Sequence, residues 1–358
     1  MTWLTWRQFR AQAVTAAVAL AAFAILLAAT GPSLDSRFAD SRITGCHGGF
    51  AGGGCNSAAI AFLNRLAATT LYPAVYALGL VVIIVAPAII GIFWGAPLIA
   101  RELETRTFAL VWTQGITRTR WLTVKLALTG LAAMAVTEAL SLMYAWWAEP
   151  IGRAISLGAS TSVFTGGRFS SLIFATRGIT SLGYAAFAFA LGAAAGALIR
   201  RALPAMAVTL AIFAAVQIAT PLWIRPYLIP PRHTTATFAS VQAVDIGTLA
   251  ATVVPGHPGA WILSSGAVDA AGQPVNLGAV SASCFSQAPS GIKEGPSAPA
   301  LWQCLQRRHV KAAVTYQPGS RYWPLQGIET GIFLALAVSL AGFFCFWRLG
   351  RRRLTSSA

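Results

Sequence analysis

Acidic residues are scarce in this sequence. Ten Asp and Glu stand among 358 residues, and all charged residues together make up 10%. Soluble domains carry about 25% charged residues, so an ordinary water-facing surface is excluded for most of the chain. Lysine is rarer still: Lys125, Lys293 and Lys311 are the only three, followed by Leu126, Glu294 and Ala312. The GxxxxGK[ST] loop that cradles nucleotide phosphates is therefore absent. The four histidines, His47, His233, His257 and His309, form no i, i+4 pair, and neither HExxH nor GxSxG occurs. Nothing in the polypeptide supports an enzyme, and no cofactor is expected in it.

What the chain has is apolar length. Hydrophobic residues make up 56%. A span needs about 20 apolar residues to cross roughly 30 Å of hydrocarbon. Six stretches qualify: 11–30, 71–94, 126–147, 173–199, 204–224 and 328–347. None alternates as a barrel strand does. The fold class that follows is an all-α polytopic membrane protein of six helices. The first stretch, preceded by Arg7 and Arg10, is longer than a signal-peptide core and reads as a retained anchor. The net charge of +16 fits basic residues that flank spans and meet membrane lipids, and no nucleic-acid partner is expected.

Basic residues in short loops orient the spans. With the N-terminus inside, the inner segments hold Arg7, Arg10, Arg101, Arg106, Arg118, Arg120, Lys125, Arg200, Arg201, Arg348, Arg351, Arg352 and Arg353, half of the 26 basic residues. Both termini then lie inside. The chain divides into an amphipathic start and span one (1–30), an outer loop (31–70), spans two to five (71–224), a large outer lobe (225–327), and span six with a basic tail (328–358). Cys46 and Cys55 fall in the first outer loop, Cys284 and Cys304 in the lobe, and Cys345 in span six. Disulfides persist in oxidising compartments, so pairs Cys46–Cys55 and Cys284–Cys304 are expected. His47 beside the first pair is one ligand short of a zinc set.

The polar segment 98–125 between spans two and three is longer and more patterned than a simple turn. Acidic Glu102 and Glu104 suit the positive end of a helix dipole. Phe108, Val111 and Trp112 form a stripe at i, i+3, i+4, and Gln114-Gly115 breaks it. Such an element either lies in the headgroups or presents side chains to a cytoplasmic partner.

ARELETRT and WTQGITRTRWL in this segment resemble the loop between spans two and three in permeases of the type-2 ABC exporter family, most of all its actinobacterial members. Those permeases carry an Arg-Glu pair after span two, a Gly-Thr shortly after, and an Arg-rich run into span three. Arg106 stands where they commonly carry glycine. The six spans and the large fifth outer loop with its cysteine pair match in order. The resemblance implies a permease of the bacterial plasma membrane. It implies a separate cytoplasmic ABC ATPase, carrying ATP and Mg, docked on Arg101, Glu102, Glu104, Thr107, Phe108 and Trp112. It also implies a second permease copy, as homodimer or heterodimer. Left open are an ATP-independent transporter or channel, and a membrane sensor or scaffold with an outer ligand-binding lobe.

An intramembrane carboxylate is costly and marks a functional candidate. Glu138 in span three is one, with Gln217 beside it as a substrate-path candidate. A packed role against Gln217, Ser141 or Thr209 is the alternative. Gly192 and Gly196 form a GxxxG close-packing face. Pro87 and Gly91 are placed to bend span two.

Overall fold

A computed structural model of the chain describes residues 2–41, 43–46, 53–104, 118–237, 244–245, 250–251, 259–275 and 298–353. Six of its helices are long and apolar enough to cross a membrane: Arg10–Asp40, Leu71–Arg101, Thr123–Trp147, Thr180–Ile199, Ala202–Tyr227 and Gly319–Phe343, here spans one to six. Successive spans run in opposite directions. One end of the bundle holds Arg101 and the start of span five; the other holds the Cys46 loop.

Span four is the centre of the bundle. It packs against spans two, three, five and six, and 78% of its most apolar stretch is buried, against 44% or less in the others. Small side chains in GYAAFAFALGAAAGAL allow this, because lipid offers no hydrophobic drive between helices and close packing must supply it. The approach to span two is backbone to backbone. A Cβ on Gly192 would collide with the Gly91 carbonyl oxygen, and one on Gly196 with that of Ala96. From the other side, a Cβ on Gly91 would lie 2.7 Å from Ala188 O. The GxxxG face is thus an intrachain contact, and Gly91 is half of it.

Span two is interrupted by a π-helical turn at Gly91–Gly95. Pro87 lies one turn before it and has no N–H to donate. Gln12 Nε2 of span one donates to Phe93 O within the turn at 3.1 Å. A second π turn, Thr220–Ile224, lies near the far end of span five.

Three boundaries differ from the sequence reading. The helix of span one continues through Pro32 to Asp40, since a proline removes one backbone donor without forcing a stop. Span four starts at Thr180 instead of 173. A short helix, Ser171–Thr176, precedes it, and the break falls at Gly178, whose φ of +108° favours glycine. Span six starts earlier than 328, its helix running from Tyr322.

The first interspan loop folds back as a helix, Gly53–Ala67, held to the end of span one by a disulfide between Cys46 and Cys55. This helix and the ends of spans one to three enclose an aromatic core. Phe38 meets Phe62 edge-on at 5.5 Å, and Tyr76 meets Phe164 at 5.2 Å. Trp147, buried in span three, donates its indole N–H to Thr30 Oγ1 at 2.9 Å.

The spans are helical as expected, but the all-α description fails between spans five and six. Strands β1 (Arg232–Thr237), β4 (Trp261–Val268) and β5 (Lys311–Gln317) form an antiparallel sheet in the order β1-β5-β4. The short strands β2 (Val244–Asp245) and β3 (Ala250–Ala251) pair separately. Alternate β5 residues Ala312, Val314 and Tyr316 are buried with Leu305 from the helix Ala298–Arg307. This is the one-sided burial of a half-covered sheet. Cys304 on that helix is disulfide-bonded; Cys284 lies outside the described residues.

Candidate functional site

Two polar centres bracket the bundle, one at each end. At the Arg101 end, span two continues into the helix Ala96–Glu104. Spans four and five are joined by Arg200 and Arg201 alone. Arg200 takes the left-handed conformation with φ 59° and donates its N–H to Gly196 O at 3.0 Å, closing span four. Arg201 is extended and opens span five, without a side-chain cap of its own. That leaves the first N–H groups of span five without partners inside their helix. Glu104 supplies one: its Oε1 accepts the Ala202 N–H at 2.8 Å. A carboxylate at a helix N-terminus both caps an amide and meets the positive end of the dipole. The end of span two is thereby joined to the start of span five across the two-arginine turn.

Arg101 and Glu104 are both exposed on this surface. Glu102 lies in the same helix, but its side chain is outside the described residues, as are Thr107, Phe108 and Trp112 altogether. Glu104, taken from sequence as a contact for another protein, has a partner within its own chain. Lys125, at the start of span three, is buried.

Within the membrane-spanning region, Glu138 is half-buried and its Oε2 accepts the Ser181 hydroxyl of span four at 3.0 Å. None of the three partners expected for it takes that place. Ser141 donates instead to Thr176 O and Gly178 O at the span-four break, and Thr209 to Ala205 O in its own helix. Gln217 donates weakly to Ile84 O of span two at 3.5 Å, and its buried Oε1 has no hydrogen-bond partner. Glu138 and Gln217 thus take hydrogen-bond partners on different spans.

The second centre was missed from sequence. Arg225 of span five and Glu329 of span six form a two-bond ion pair: Nε to Oε2 at 2.8 Å and Nη2 to Oε1 at 3.0 Å. Both side chains are 1% exposed. Tyr184 of span four donates its hydroxyl to Glu329 Oε1 at 2.9 Å. The Arg225 guanidinium also lies over the Phe174 ring, 4.1 Å from its centre. Charge-assisted pairs of this fork geometry are the stronger kind, and the carboxylate is satisfied on both oxygens.

One helical turn away, Gln326 saturates its amide. It accepts from Thr180 N at 3.0 Å and donates to Phe174 O and Arg177 O at 2.8 and 2.9 Å. Residue 178 cannot be larger than glycine here, since a Cβ would lie 2.8 Å from Gln326 Oε1. The sheet is fastened to the same region: Arg321 Nη1 donates to Pro230 O at 2.6 Å and to Gln317 Oε1 at 2.8 Å. Trp261 of β4 stacks on Phe169 at 5.9 Å. The signal in the sequence was one residue of each sign near facing ends of two apolar stretches, which in a membrane pair with each other.

Among the described residues, no three His, Cys, Asp or Glu side chains gather as a metal would require. The arrangement is one of mechanical joints: an exposed capping joint at one end and a buried ionic joint at the other, both attached to span five. No curated protein and no solved structure matches the chain. The family model described as ABC-2 membrane transporter related matches residues 17–225, from span one to Arg225 and more than half of the 358 residues. A multi-pass membrane protein with this helical bundle and this match belongs to the ABC-2 membrane transporter related family.

Proposed function

We propose that the chain is the membrane-spanning permease subunit of an ATP-driven exporter of the bacterial plasma membrane. Its spans form the translocation path, and a separate cytoplasmic ATPase carries ATP and Mg. Both termini and segment 98–125 face the cytoplasm, and the sheet between spans five and six forms an outer lobe. The transporter contains a second permease copy, identical or related.

The observation that carries this reading is the Glu104–Ala202 hydrogen bond. A push on the Arg101 end of span two is received directly by the start of span five, with no flexible segment between them. Family membership supplies the ATPase and often the second copy. Arg101, Glu102, Glu104, Thr107, Phe108 and Trp112 are the proposed docking surface, with Phe108 and Trp112 as the apolar anchor that interfaces favour. The disulfides fit an outer placement of their loops, since they persist in oxidising compartments. Glu138 and Gln217 remain the proposed path residues.

The test is co-purification with the cognate ATPase followed by an ATPase assay in liposomes. The double variant Glu102→Ala with Trp112→Ala is expected to insert normally and to lose most of the stimulation of ATP hydrolysis. Full stimulation by that variant would remove the docking role.

A further inference from the structure

At the Cys46 end, a cavity of about 670 Å³ opens between the end of span one and the helix Gly53–Ala67. That is within the range of small-molecule sites. Arg37 and Arg65 line it together with Asp40, and its accessible apolar surface comes from Ala58 and Ala61 above the buried Phe62 and Leu66. Both arginines are exposed, and neither forms an ion pair among the described residues. Arg37 is held over the Tyr72 ring, 5.5 Å from its centre. Ser33, also in the lining, is turned away: its hydroxyl donates to Thr30 O and contacts the Tyr72 hydroxyl, both at 2.9 Å. Ser36 and Ser41 likewise donate to Ser33 O and Phe38 O, which leaves the two guanidiniums as the uncommitted side-chain donors of the lining.

Depth decides what such a cavity meets. Arg10 is the last basic residue before the apolar run of span one, which marks one headgroup layer. From there the unbroken helix rises about 40 Å to Arg37 at 1.5 Å per residue. Hydrocarbon occupies roughly 30 Å, and the bilayer with both headgroup layers about 40–45 Å. Arg37 and the cavity therefore lie in the opposite headgroup layer. A basic rim over an apolar floor at that depth matches a phosphate ester with acyl chains beneath it. Arginine binds phosphate through a fork of N–H donors.

We propose that this cavity binds a glycerophospholipid, its phosphate held by Arg37 and Arg65 and its acyl start laid along Ala58 and Ala61. The site is separate from the proposed docking surface for an ATPase and stands on the membrane-spanning fold alone.

The experiment uses the full chain in detergent. Lipid retention is measured by native mass spectrometry, and affinity by the shift of the thermal unfolding midpoint with dioleoylphosphatidylglycerol. Arg65→Gln is the informative variant, since Arg65 is exposed and makes no ion pair among the described residues. It is expected to weaken lipid binding at least tenfold, and Arg65→Lys to recover part of that. Arg153→Gln removes an exposed arginine on the neighbouring helix Glu149–Ser156 and is expected to leave binding unchanged. Dioleoylglycerol, which lacks the phosphate, and inorganic phosphate at the same concentration are each expected to give no shift. Wild-type affinity in Arg65→Gln overturns the proposal. So does an equal shift with dioleoylglycerol, which would make the cavity an apolar groove, or with inorganic phosphate, which would make it a free-anion site.

Discussion

Arg225 and Glu329 join span five to span six through two hydrogen bonds of 2.8 and 3.0 Å, with both side chains 1% exposed. Removing one partner leaves the other charge buried and alone, which costs about 3–5 kcal/mol, whereas replacing both by apolar residues is often neutral. Glu329→Gln or Arg225→Met should therefore lower the thermal unfolding midpoint in detergent sharply. The double variant Arg225→Met with Glu329→Leu should recover most of it. A double variant no better than its parents would mean that the pair is not the unit of stability.

Tyr184 contributes to the same carboxylate through one hydroxyl. Tyr184→Phe keeps the ring and removes only the donor. A buried hydrogen bond to a charged group contributes roughly 1.5–3 kcal/mol. The loss should appear in wild type and shrink in the Glu329→Leu background, measured as a double-mutant cycle.

The glycine contact between spans two and four tolerates no side chain at Gly192 or Gly196. Gly192→Val should destabilise by about 1–3 kcal/mol or more through overpacking, with loss of monodisperse protein on size exclusion. Gly342→Ala, where a Cβ meets nothing within 4 Å, should be silent.

Glu104 caps an amide of span five, and cap removal costs about 0.5–2 kcal/mol locally. In Glu104→Ala, hydrogen exchange at the start of span five should speed up several-fold, read by mass spectrometry on peptides containing Ala202. This holds without any ATPase present. It separates the intrachain joint from the proposed docking role, which is read only in the stimulated ATP hydrolysis.

The Cys46–Cys55 bridge closes a short loop, nine residues apart in sequence, for which chain entropy gives about 2–3 kcal/mol. Cys46→Ser with Cys55→Ser should lower the unfolding midpoint. Non-reducing peptide mapping should recover the Cys46–Cys55 link and identify the partner of Cys304.

Much of the bundle was legible in the sequence, because apolar length and small-residue spacing are local properties. The GxxxG of Gly192 and Gly196 and the pairing of Cys46 with Cys55 needed only position along the chain. What was not legible depends on which ends meet. Arg225 and Glu329 are 104 residues apart, and each alone reads as an edge charge. Glu104 reads from sequence as suiting the positive end of its own helix, but it closes the helix Ala96–Glu104 and meets the positive end of span five instead; its partner is a backbone amide, which no side-chain pattern announces. The start of span four was misread because 173–179 is apolar throughout its first half; only the positive φ at Gly178 and the demand of Gln326 for nearby backbone atoms stop the helix there. The sheet escaped notice because KAAVTYQ in β5 buries only Ala312, Val314 and Tyr316 on one face, a short alternation beside the strong apolar spans.

The π turns acquire a meaning from where they stand. A regular helix advances about 100° per residue, and a π turn accommodates one residue more than its α counterpart. Everything downstream is therefore shifted in phase by about one residue's rotation. Gly91–Gly95 lies just upstream of the helix that ends at Glu104, and Thr220–Ile224 directly precedes Arg225. Without those two corrections, the carboxylate and the guanidinium would each be turned by about 100° from their present partners, Ala202 and Glu329. The chain sets the azimuth of both joints by inserting a residue, and deleting one within either turn should misdirect its joint while leaving the hydrophobic length of the span nearly unchanged.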